Sequence, residues 1–441
     1  MTGHFPHLAE RARSQAVHQP GLYGDFDFTA LPHRLTTDPA DACALPAWVA
    51  ERAPYLTDDP AVELIRTTTL LGDVIADPYA ALVATHGTKQ LISMLRTACR
   101  NGIDAVSAAP PELVRLIEAM GTPPPWIDMD LVEEGARAAR VPAAFLSPYL
   151  LRGAFLATFT NTYAALPMTL TGALSGKRAA RRVHDTAGFF AVTALPDALA
   201  RHGAGFEAAA MVRLMHSLTR VQALRRPDVW DRSVYGLPIP QIDQMPAGLI
   251  NTYILARVAL RRRRPAFTRR ERAVAEFARY RCFLLGLPEE LLPTTPEAIV
   301  HLFHARAALL RDGFDDATCG ALVRSTMAAQ LHQGHGLEPR LTESVERSWS
   351  KYFFRQAFCN GNTPAARAMS VGVTRTDTLR VALTAPFVLG RFFLVTAAAD
   401  QRRLSRLADA YTLRVLRRRL TTYGMPARED QGPDPEEPDP L

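Results

Sequence analysis

Residues 210–220 read AMVRLMHSLTR. Apolar side chains in this stretch recur at the spacing of an α-helix, and three polar side chains stand among them: Arg213, His216 and Arg220. Because residues three and four apart share one face of a helix, these three side chains are predicted to project together. The stretch therefore predicts a largely apolar helix that carries one imidazole between two guanidinium groups.

The helical periodicity continues outward through most of the chain. From about Val62 onward, apolar runs at helical spacing are separated by glycine and proline, and strand signals are sparse. Further helical patterns cover 205–225, 245–260, 268–287, 295–312, 315–333, 341–357 and 375–422. The sequence therefore predicts an all-α fold with a single large helical domain over residues 61–425, and the lack of a fixed repeat argues against a solenoid.

The two ends of the chain differ from this domain. Residues 1–60 are rich in proline and aspartate with little periodicity, which predicts an irregular arm or cap over the core. Residues 426–441 are rich in proline and acidic side chains, a composition that cannot bury enough apolar surface to fold. We therefore expect a disordered acidic tail.

The overall composition is that of a soluble globular protein. The 441 residues are 48% hydrophobic and 22% charged, which is enough for a sizeable core. Five cysteines, an odd number without a Cys-x-x-Cys pair, argue against a disulfide framework or a zinc finger and indicate a reducing compartment. The N-terminal residues show no apolar signal segment. We expect a cytoplasmic protein.

Two stretches are apolar enough to raise the question of a membrane. Residues 142–170 contain Arg152, and residues 381–399 contain a central Arg391 and a proline. A charge at the centre of a bilayer is costly, so no transmembrane segment is predicted. Both stretches are expected to be buried helices of the domain, with a peripheral membrane contact as the alternative.

The helix around His216 has the features of a haem-binding helix. His216 could supply the axial ligand to iron, and Val212, Met215 and Leu218 an apolar wall. Arg213 and Arg220 could bind the two propionates, since arginine–carboxylate bonds are strong and geometrically specific. The alternative is an ordinary buried histidine bonded to a backbone carbonyl, and spacing alone leaves both interpretations open.

A second candidate lies in GKRAARRVHDTAGFF (176–190). Arg182, Asp185 and Thr186 fall at i, i+3 and i+4, on one helical face, whereas His184 points about 100° from Asp185. A guanidinium, a carboxylate and a hydroxyl together could orient dioxygen or a substrate and relay protons. The alternative is an ordinary surface ion pair.

A third candidate is a non-haem metal site. Glu297, His301 and His304 have the i, i+4 and i+3 spacings that bind iron or zinc in helical bundles, and His332 and His335 follow. A second matching set of glutamates is missing. A non-haem iron oxidase is therefore kept as an alternative.

The arginine-rich segment 261–281 is the remaining charged feature. Four arginines precede Pro265 and could contact phosphates, but no nucleic-acid-binding motif lies nearby. A solvated helix end explains them, since cations are favoured at helix C-termini. No nucleic-acid partner is expected.

Several motifs in order resemble one known family, that of the MpaB and rubber oxygenases (latex clearing proteins). The resemblance extends over roughly residues 60–425. The motifs are PPWIDMDLVEEGARAA (124–139), GAFLATFTNTYAALP (153–167), RRVHDTAGFF (181–190), MVRLMHSLTR (211–220), GLPIPQIDQMPAGLINTYIL (236–255) and RYRCFLLGLPEELLPTTPEAI (279–299).

This resemblance implies an all-α fold with a globin-like core and haem b as cofactor. By resemblance, His216 is the proximal iron ligand, and Arg213 and Arg220 lie near the haem. Arg182 and Thr186 match residues on the distal side. The resemblance therefore favours the haem interpretation of residues 210–220.

The chain departs from the rubber-cleaving members at two places. Asp185 occupies the position at which they carry a distal lysine, and residues 162–170, TYAALPMTL, lack the acid they carry in the preceding helix. We therefore expect a substrate other than polyisoprene, with Asp185 as a proton relay or substrate anchor.

The sequence thus predicts a haem b-dependent oxygenase. Dioxygen, an apolar or aromatic small molecule and an electron donor are its expected partners. A non-enzymatic alternative is an arginine-rich helical module that binds a membrane surface or a partner protein.

Overall fold

The computed structural model describes residues 3–170, 177–332 and 336–425. Within these ranges it contains 21 α-helices and no β-strand, which confirms the predicted all-α fold. The helices are α1 (Pro6–His18), α2 (Pro20–Tyr23), α3 (Ala53–Leu56), α4 (Asp59–Thr69), α5 (Ala76–Ala81), α6 (Val83–Asn101), α7 (Pro111–Gly121), α8 (Met129–Phe145), α9 (Ser147–Leu156), α10 (Thr162–Leu170), α11 (Lys177–Val192), α12 (Ala204–Leu224), α13 (Arg232–Tyr235), α14 (Gln241–Arg261), α15 (Arg269–Leu284), α16 (Pro296–Leu309), α17 (Ala321–Ala328), α18 (Leu337–Phe358), α19 (Thr363–Ala368), α20 (Arg375–Asp400) and α21 (Ser405–Thr422).

The N-terminal arm is packed onto the main hydrophobic core. It starts with the 13-residue helix α1 and continues mainly as turns. Leu8, Tyr23 and Leu35 are buried in the same cluster as the central helices, and an isolated antiparallel bridge joins Leu35 to Leu310. The boundary near residue 60 stays a prediction, and the predicted disordered tail lies outside the described residues.

Local sequence signals explain where several long helices begin. Asp128 accepts hydrogen bonds from the backbone N–H groups of Asp130 and Leu131 and so caps α8. Thr268 and Glu271 form a reciprocal capping box at the start of α15. These side chains satisfy backbone donors that a helix leaves without intrahelical partners.

Two glycines allow the long helices around the site to pack closely. A Cβ atom at Gly135 of α8 would lie 2.0 Å from the backbone oxygen of Ala273 in α15, and one at Gly153 of α9 would lie 2.3 Å from that of Ser350 in α18. No side chain fits at such distances. Glycine at these positions therefore sets the separation of α8 from α15 and of α9 from α18.

Helix α12 lies between the core and the site. Helices α5, α6, α11 and α15 pack around it. Leu214, Leu218 and Val221 are buried in the main core, whereas His216 and its neighbours on another side of the helix face a cavity. Leu218 therefore belongs to the core and not to the predicted apolar wall of the haem site.

The two apolar stretches have different environments. Residues 142–170 are divided among the end of α8, α9, a short 3₁₀ turn and α10. Arg152 in this stretch is fully buried and pairs with Glu343 and Glu346, as suits an interior helix. Residues 142–169 are buried or half-buried and none of them is exposed, as expected for a stretch inside the domain.

The expected burial of residues 381–399 is wrong. They lie in the 26-residue helix α20, which packs against α8, α18 and α21 along one side only. Only 17% of its most apolar 18-residue window is buried, and Phe387 is 77% exposed. Among the residues that the structure describes, this one helix has the length and composition needed to cross a membrane.

Candidate functional site

A cavity of about 2350 Å³ lies beside α11, α12, α14 and α15. It is larger than the roughly 300–1,000 Å³ of an ordinary ligand pocket, so it has room for a large cofactor and a substrate together. Its walls are mostly apolar. Val212, Met215 and His216 reach it from α12, and Arg182, Asp185 and Thr186 reach it from α11.

The ring of His216 is fixed by Gln244 of α14. Nδ1 of His216 donates a hydrogen bond to Oε1 of Gln244 at 2.9 Å. Gln244 is oriented in turn, because its Nε2 donates to Oε1 of Gln241 at 3.1 Å, and Gln241 Nε2 donates to the Gly72 oxygen at 2.9 Å. With the proton on Nδ1, the lone pair of Nε2 is available toward the cavity.

His216 is held in its neutral form. Burial lowers the pKa of the imidazole to about 4, and the hydrogen bond to Gln244 only partly opposes this shift. The positive charge of Arg182 lowers the same pKa further. A neutral imidazole with a free ring nitrogen can bind a metal ion.

Arg213 and Arg220 do not line the cavity, which corrects their predicted role as propionate partners. Arg213 binds Asp73 through two hydrogen bonds of 2.6 and 2.9 Å, and Arg220 binds Asp77 and the backbone oxygens of the segment before α14. Positions i−3 and i+4 lie roughly 40–60° around the helix from His216, in the same direction. That offset directs both guanidinium groups toward buried carboxylates beside α5.

The ion pair of Arg213 with Asp73 is strong and internal. Burial alone would raise the pKa of the Asp73 carboxyl, but the pairing with Arg213 outweighs it and lowers that pKa to about 2. Both side chains are almost completely buried. Arg213 therefore stabilises the fold behind the site.

The α11 residues stand together on the cavity wall. Thr186 Oγ1 donates a hydrogen bond to the backbone oxygen of Arg182 at 3.0 Å. The Nε atom of Arg182 is buried and has no hydrogen-bond partner among the described residues. Burial lowers the pKa of this guanidinium, while the charge of Asp185 raises it. His184 does not line the cavity and contacts the Tyr423 ring.

Sequence reasoning missed Gln244 and Arg281. Arg281 of α15 lies on the cavity wall, is only 4% exposed, and packs against Phe190 with its guanidinium carbon 4.5 Å from the ring centroid. By sequence it belongs to the arginine-rich segment 261–281, for which a solvated helix end is predicted. No sequence signal separates it from the other arginines, because burial and the absence of a carboxylate neighbour are tertiary properties.

The predicted non-haem metal site is not formed. His301 Nε2 lies 2.6 Å from an Asp58 oxygen, and His304 lies between the hydroxyls of Tyr55 and Tyr253, 3.1 Å from each. No group of three or more metal-binding side chains occurs in the part of the chain that the structure describes. Glu297 is exposed, and His332 is bound to Glu343. His335 lies outside the described residues.

Comparisons with known proteins agree with this architecture. A family model described as "ER-bound oxygenase mpaB/B'/Rubber oxygenase, catalytic domain" matches residues 143–411, which is more than half of the chain and includes the cavity-lining parts of α11, α12, α14 and α15. A solved structure of latex clearing protein LCP in the closed state matches with a TM-score of 0.54 and 19% identity. That match covers 80% of this chain and 91% of that one. No curated protein matches the chain.

Proposed function

Since the chain belongs to the mpaB/rubber oxygenase catalytic-domain family and is an oxygenase, we propose that it is haem b-dependent and that His216 is the proximal iron ligand. The observation that carries this proposal is the hydrogen bond from Nδ1 of His216 to Gln244. It leaves Nε2 available beside a large apolar cavity. Histidine ligands of haem iron commonly have their second nitrogen bonded in this way.

The residues of the cavity fit a haem. Val212 and Met215, one turn of α12 from each other and beside His216, supply an apolar surface for a porphyrin face. Across the cavity, Arg182 keeps a buried Nε donor without a partner among the residues described. A buried donor left unsatisfied is costly, so a ligand acceptor at this position is expected.

The bound haem supplies the redox chemistry with dioxygen, and the chain supplies orientation and protons. Arg182 donates hydrogen bonds into the cavity and stabilises negative charge that develops there. Thr186 has its hydroxyl proton directed at a backbone oxygen, so its lone pairs accept hydrogen bonds from the cavity side. Asp185 is exposed at the cavity wall and moves protons between solvent and the interior.

We propose an apolar or aromatic small molecule other than polyisoprene as the substrate. Phe155, Phe189, Phe190 and Met211 are among the apolar side chains around the cavity. Asp185 stands where the rubber-cleaving relatives carry a lysine by resemblance, and α10 has no acidic residue. We also propose that an external electron donor serves the reaction. The five unpaired cysteines support a cytoplasmic location.

A spectrum of the purified protein tests the cofactor assignment. We expect a Soret band that shifts on addition of dithionite, and a pyridine haemochrome of the b type at one equivalent per chain. Metal analysis on the same sample separates the alternatives. Iron without porphyrin, or colourless protein that takes up no haem on reconstitution, contradicts the proposal.

A second proposal concerns α20, whose exposed face we infer to bind a membrane surface peripherally. Leu379, Leu383, Phe387 and Leu394 are exposed at steps of four, four and seven residues. They therefore form a stripe about 22 Å long on a single face of the helix, interrupted only by Arg391, whose guanidinium packs over the Phe145 ring. An exposed apolar stripe of this length is unusual on a protein surface that stays in water.

The positive charges beside this stripe favour an anionic bilayer as its binding partner. Arg402, Arg403 and Arg406 are exposed just beyond α20, beside the exposed Leu404 and Leu407. Within the described ranges these three arginines form no ion pair. Apolar side chains that enter the acyl boundary, with arginines at the level of anionic headgroups, are the two interactions that bind amphipathic helices to membranes.

A further inference from the structure

Arg281 is a buried cation that has no counter-ion among the described residues. It is 4% exposed, and no carboxylate lies within salt-bridge distance of it in residues 3–170, 177–332 and 336–425. Burial lowers the pKa of its guanidinium to about 10, and no carboxylate opposes that shift. Buried charges in proteins are normally paired, because an unpaired one loses its hydration without compensation.

Aromatic rings pack against the guanidinium plane of Arg281, but not all of the N–H donors along its edge have partners. The rings of Phe190, Phe277 and Phe189 lie 4.5, 5.2 and 6.0 Å from the guanidinium carbon. One terminal nitrogen donates to the Gly248 oxygen at 3.3 Å, and Nε has no partner among the described residues. The remaining donors of the terminal nitrogens are thus left for a molecule in the cavity, which both Arg281 and Gly248 line.

The position of Arg281 is tied to that of His216 through α14. Gln244 fixes the imidazole, and Gly248, four residues later on the same helix, accepts the hydrogen bond from Arg281. Four residues of α-helix advance about 6 Å, or one turn. Neighbouring turns of α14 therefore hold the side chains of His216 and Arg281, and both side chains line the cavity.

We propose that Arg281 binds a carboxylate of the molecule that occupies the cavity. A planar guanidinium whose terminal nitrogens keep unused donors matches a carboxylate in a two-bond arrangement, and one cation balances one anionic charge. The carboxylate belongs either to a haem propionate, in which case the inference rests on the proposed cofactor, or to an acidic substrate. In the first case Arg281 takes the role that the sequence assigned to Arg213 and Arg220.

Titrations of the ligand-free protein with haem and with its dimethyl ester test the first source. The ester has the same porphyrin but no ionised propionate. We expect Arg281→Met to weaken haem binding about 10- to 100-fold, the size of one charge-assisted hydrogen bond, and to leave binding of the ester unchanged. Arg281→Lys should keep part of the preference, since it keeps the charge but not the planar fork.

Octanoate and octanol, measured by calorimetry on both haem-free and haem-loaded protein, test the second source. If a substrate carboxylate is the ligand, the wild type binds octanoate more tightly than octanol and Arg281→Met removes that difference while haem affinity is unchanged. If the wild type takes up no haem, the cofactor proposal is contradicted. The octanoate measurement on haem-free protein still tests the role of Arg281 in that case.

Arg306→Met is the matched control, because it also removes a cation from the cavity wall. Its partner Asp243 keeps a second arginine, Arg34. This variant should leave both discriminations intact. Ligand-free Arg281→Met should melt no lower than the wild type, since it removes an unpaired buried charge. Unchanged discrimination in both arms, or a lowered melting temperature as the only effect, overturns the proposal.

Discussion

Nδ1 of His216 donates a hydrogen bond to Oε1 of Gln244 across 2.9 Å, and this contact decides which ring nitrogen faces the cavity. Such second partners of a metal-binding histidine orient its ring and set its basicity, and their loss typically costs about 10- to 100-fold in metal affinity. Gln244→Leu is therefore expected to weaken haem binding by about that factor in a titration of the ligand-free protein.

Gln244→Glu supplies the control for this prediction. It restores an acceptor for Nδ1, so it should bind haem more tightly than Gln244→Leu. A carboxylate also makes the imidazole a stronger donor to iron, which should lower the reduction potential of the bound haem relative to the wild type. Equal haem affinity in the wild type and Gln244→Leu would show that the ring does not depend on this bond.

Because Arg220 forms an internal ion pair with Asp77, we predict that Arg220→Met lowers the free energy of unfolding but not the affinity for haem. Both side chains are almost completely buried, and Arg220→Met leaves the Asp77 carboxyl with its hydrogen bonds from Tyr23 and the Asp73 N–H but without its cation. Breaking a buried pair from one side typically costs about 3–5 kcal/mol of the free energy of unfolding. Denaturant unfolding of the ligand-free protein measures this cost.

The double variant Arg220→Met with Asp77→Asn is the control, and it should recover part of that loss because no buried charge is then unpaired. Unchanged stability of Arg220→Met, together with weaker binding of haem than of its dimethyl ester, would instead indicate that Arg220 binds the cofactor.

The pKa of Asp73 predicts how stability depends on pH. The folded-state pKa is about 2, below the usual 3.8. A lowered carboxyl pKa contributes stability that is complete above the unfolded value and is lost as the pH falls from about 4 to about 2. Asp73→Asn should remove this part of the acid transition, so the difference in unfolding free energy between wild type and variant should shrink steadily over that window. A difference that stays constant from pH 5 to pH 2 contradicts the assigned shift.

The exposed stripe of α20 predicts binding to anionic vesicles. The wild type should float with vesicles that contain phosphatidylserine, less so at high salt and less with phosphatidylcholine alone. Leu383→Asp with Phe387→Asp should abolish flotation. Leu337→Asp with Leu341→Asp, at equally exposed positions on α18, is the matched control and should float normally. Absence of flotation, or reversible dimer formation lost in the α20 variant, would assign the stripe to something other than a membrane.

The sequence predicted the features that depend on local spacing. Apolar periodicity identified the helix that carries His216, and it placed Val212 and Met215 on the same side as the imidazole. The i, i+3, i+4 spacing likewise placed Arg182, Asp185 and Thr186 on one wall. Such groupings follow from helix geometry alone, so they needed no knowledge of the tertiary structure.

The missed features depend on partners far along the chain. Arg213 binds a carboxylate 140 residues away, which no local pattern shows. Arg281 differs from its arginine neighbours because it is buried and no carboxylate among the described residues reaches it. The exposure of α20 also could not be predicted, because an apolar helix has the same composition whether its face meets the core or stays uncovered.

The most direct test of the central claim is a haem titration of ligand-free His216→Gly with and without added imidazole, beside His301→Ala as a control. His301 is bound to Asp58 and does not line the cavity, so its variant should bind haem like the wild type. We predict that His216→Gly loses tight binding and the wild-type Soret spectrum, and that free imidazole restores both by occupying the space of the missing ring. Wild-type affinity and spectrum in His216→Gly without imidazole would contradict the assignment of His216 as the iron ligand.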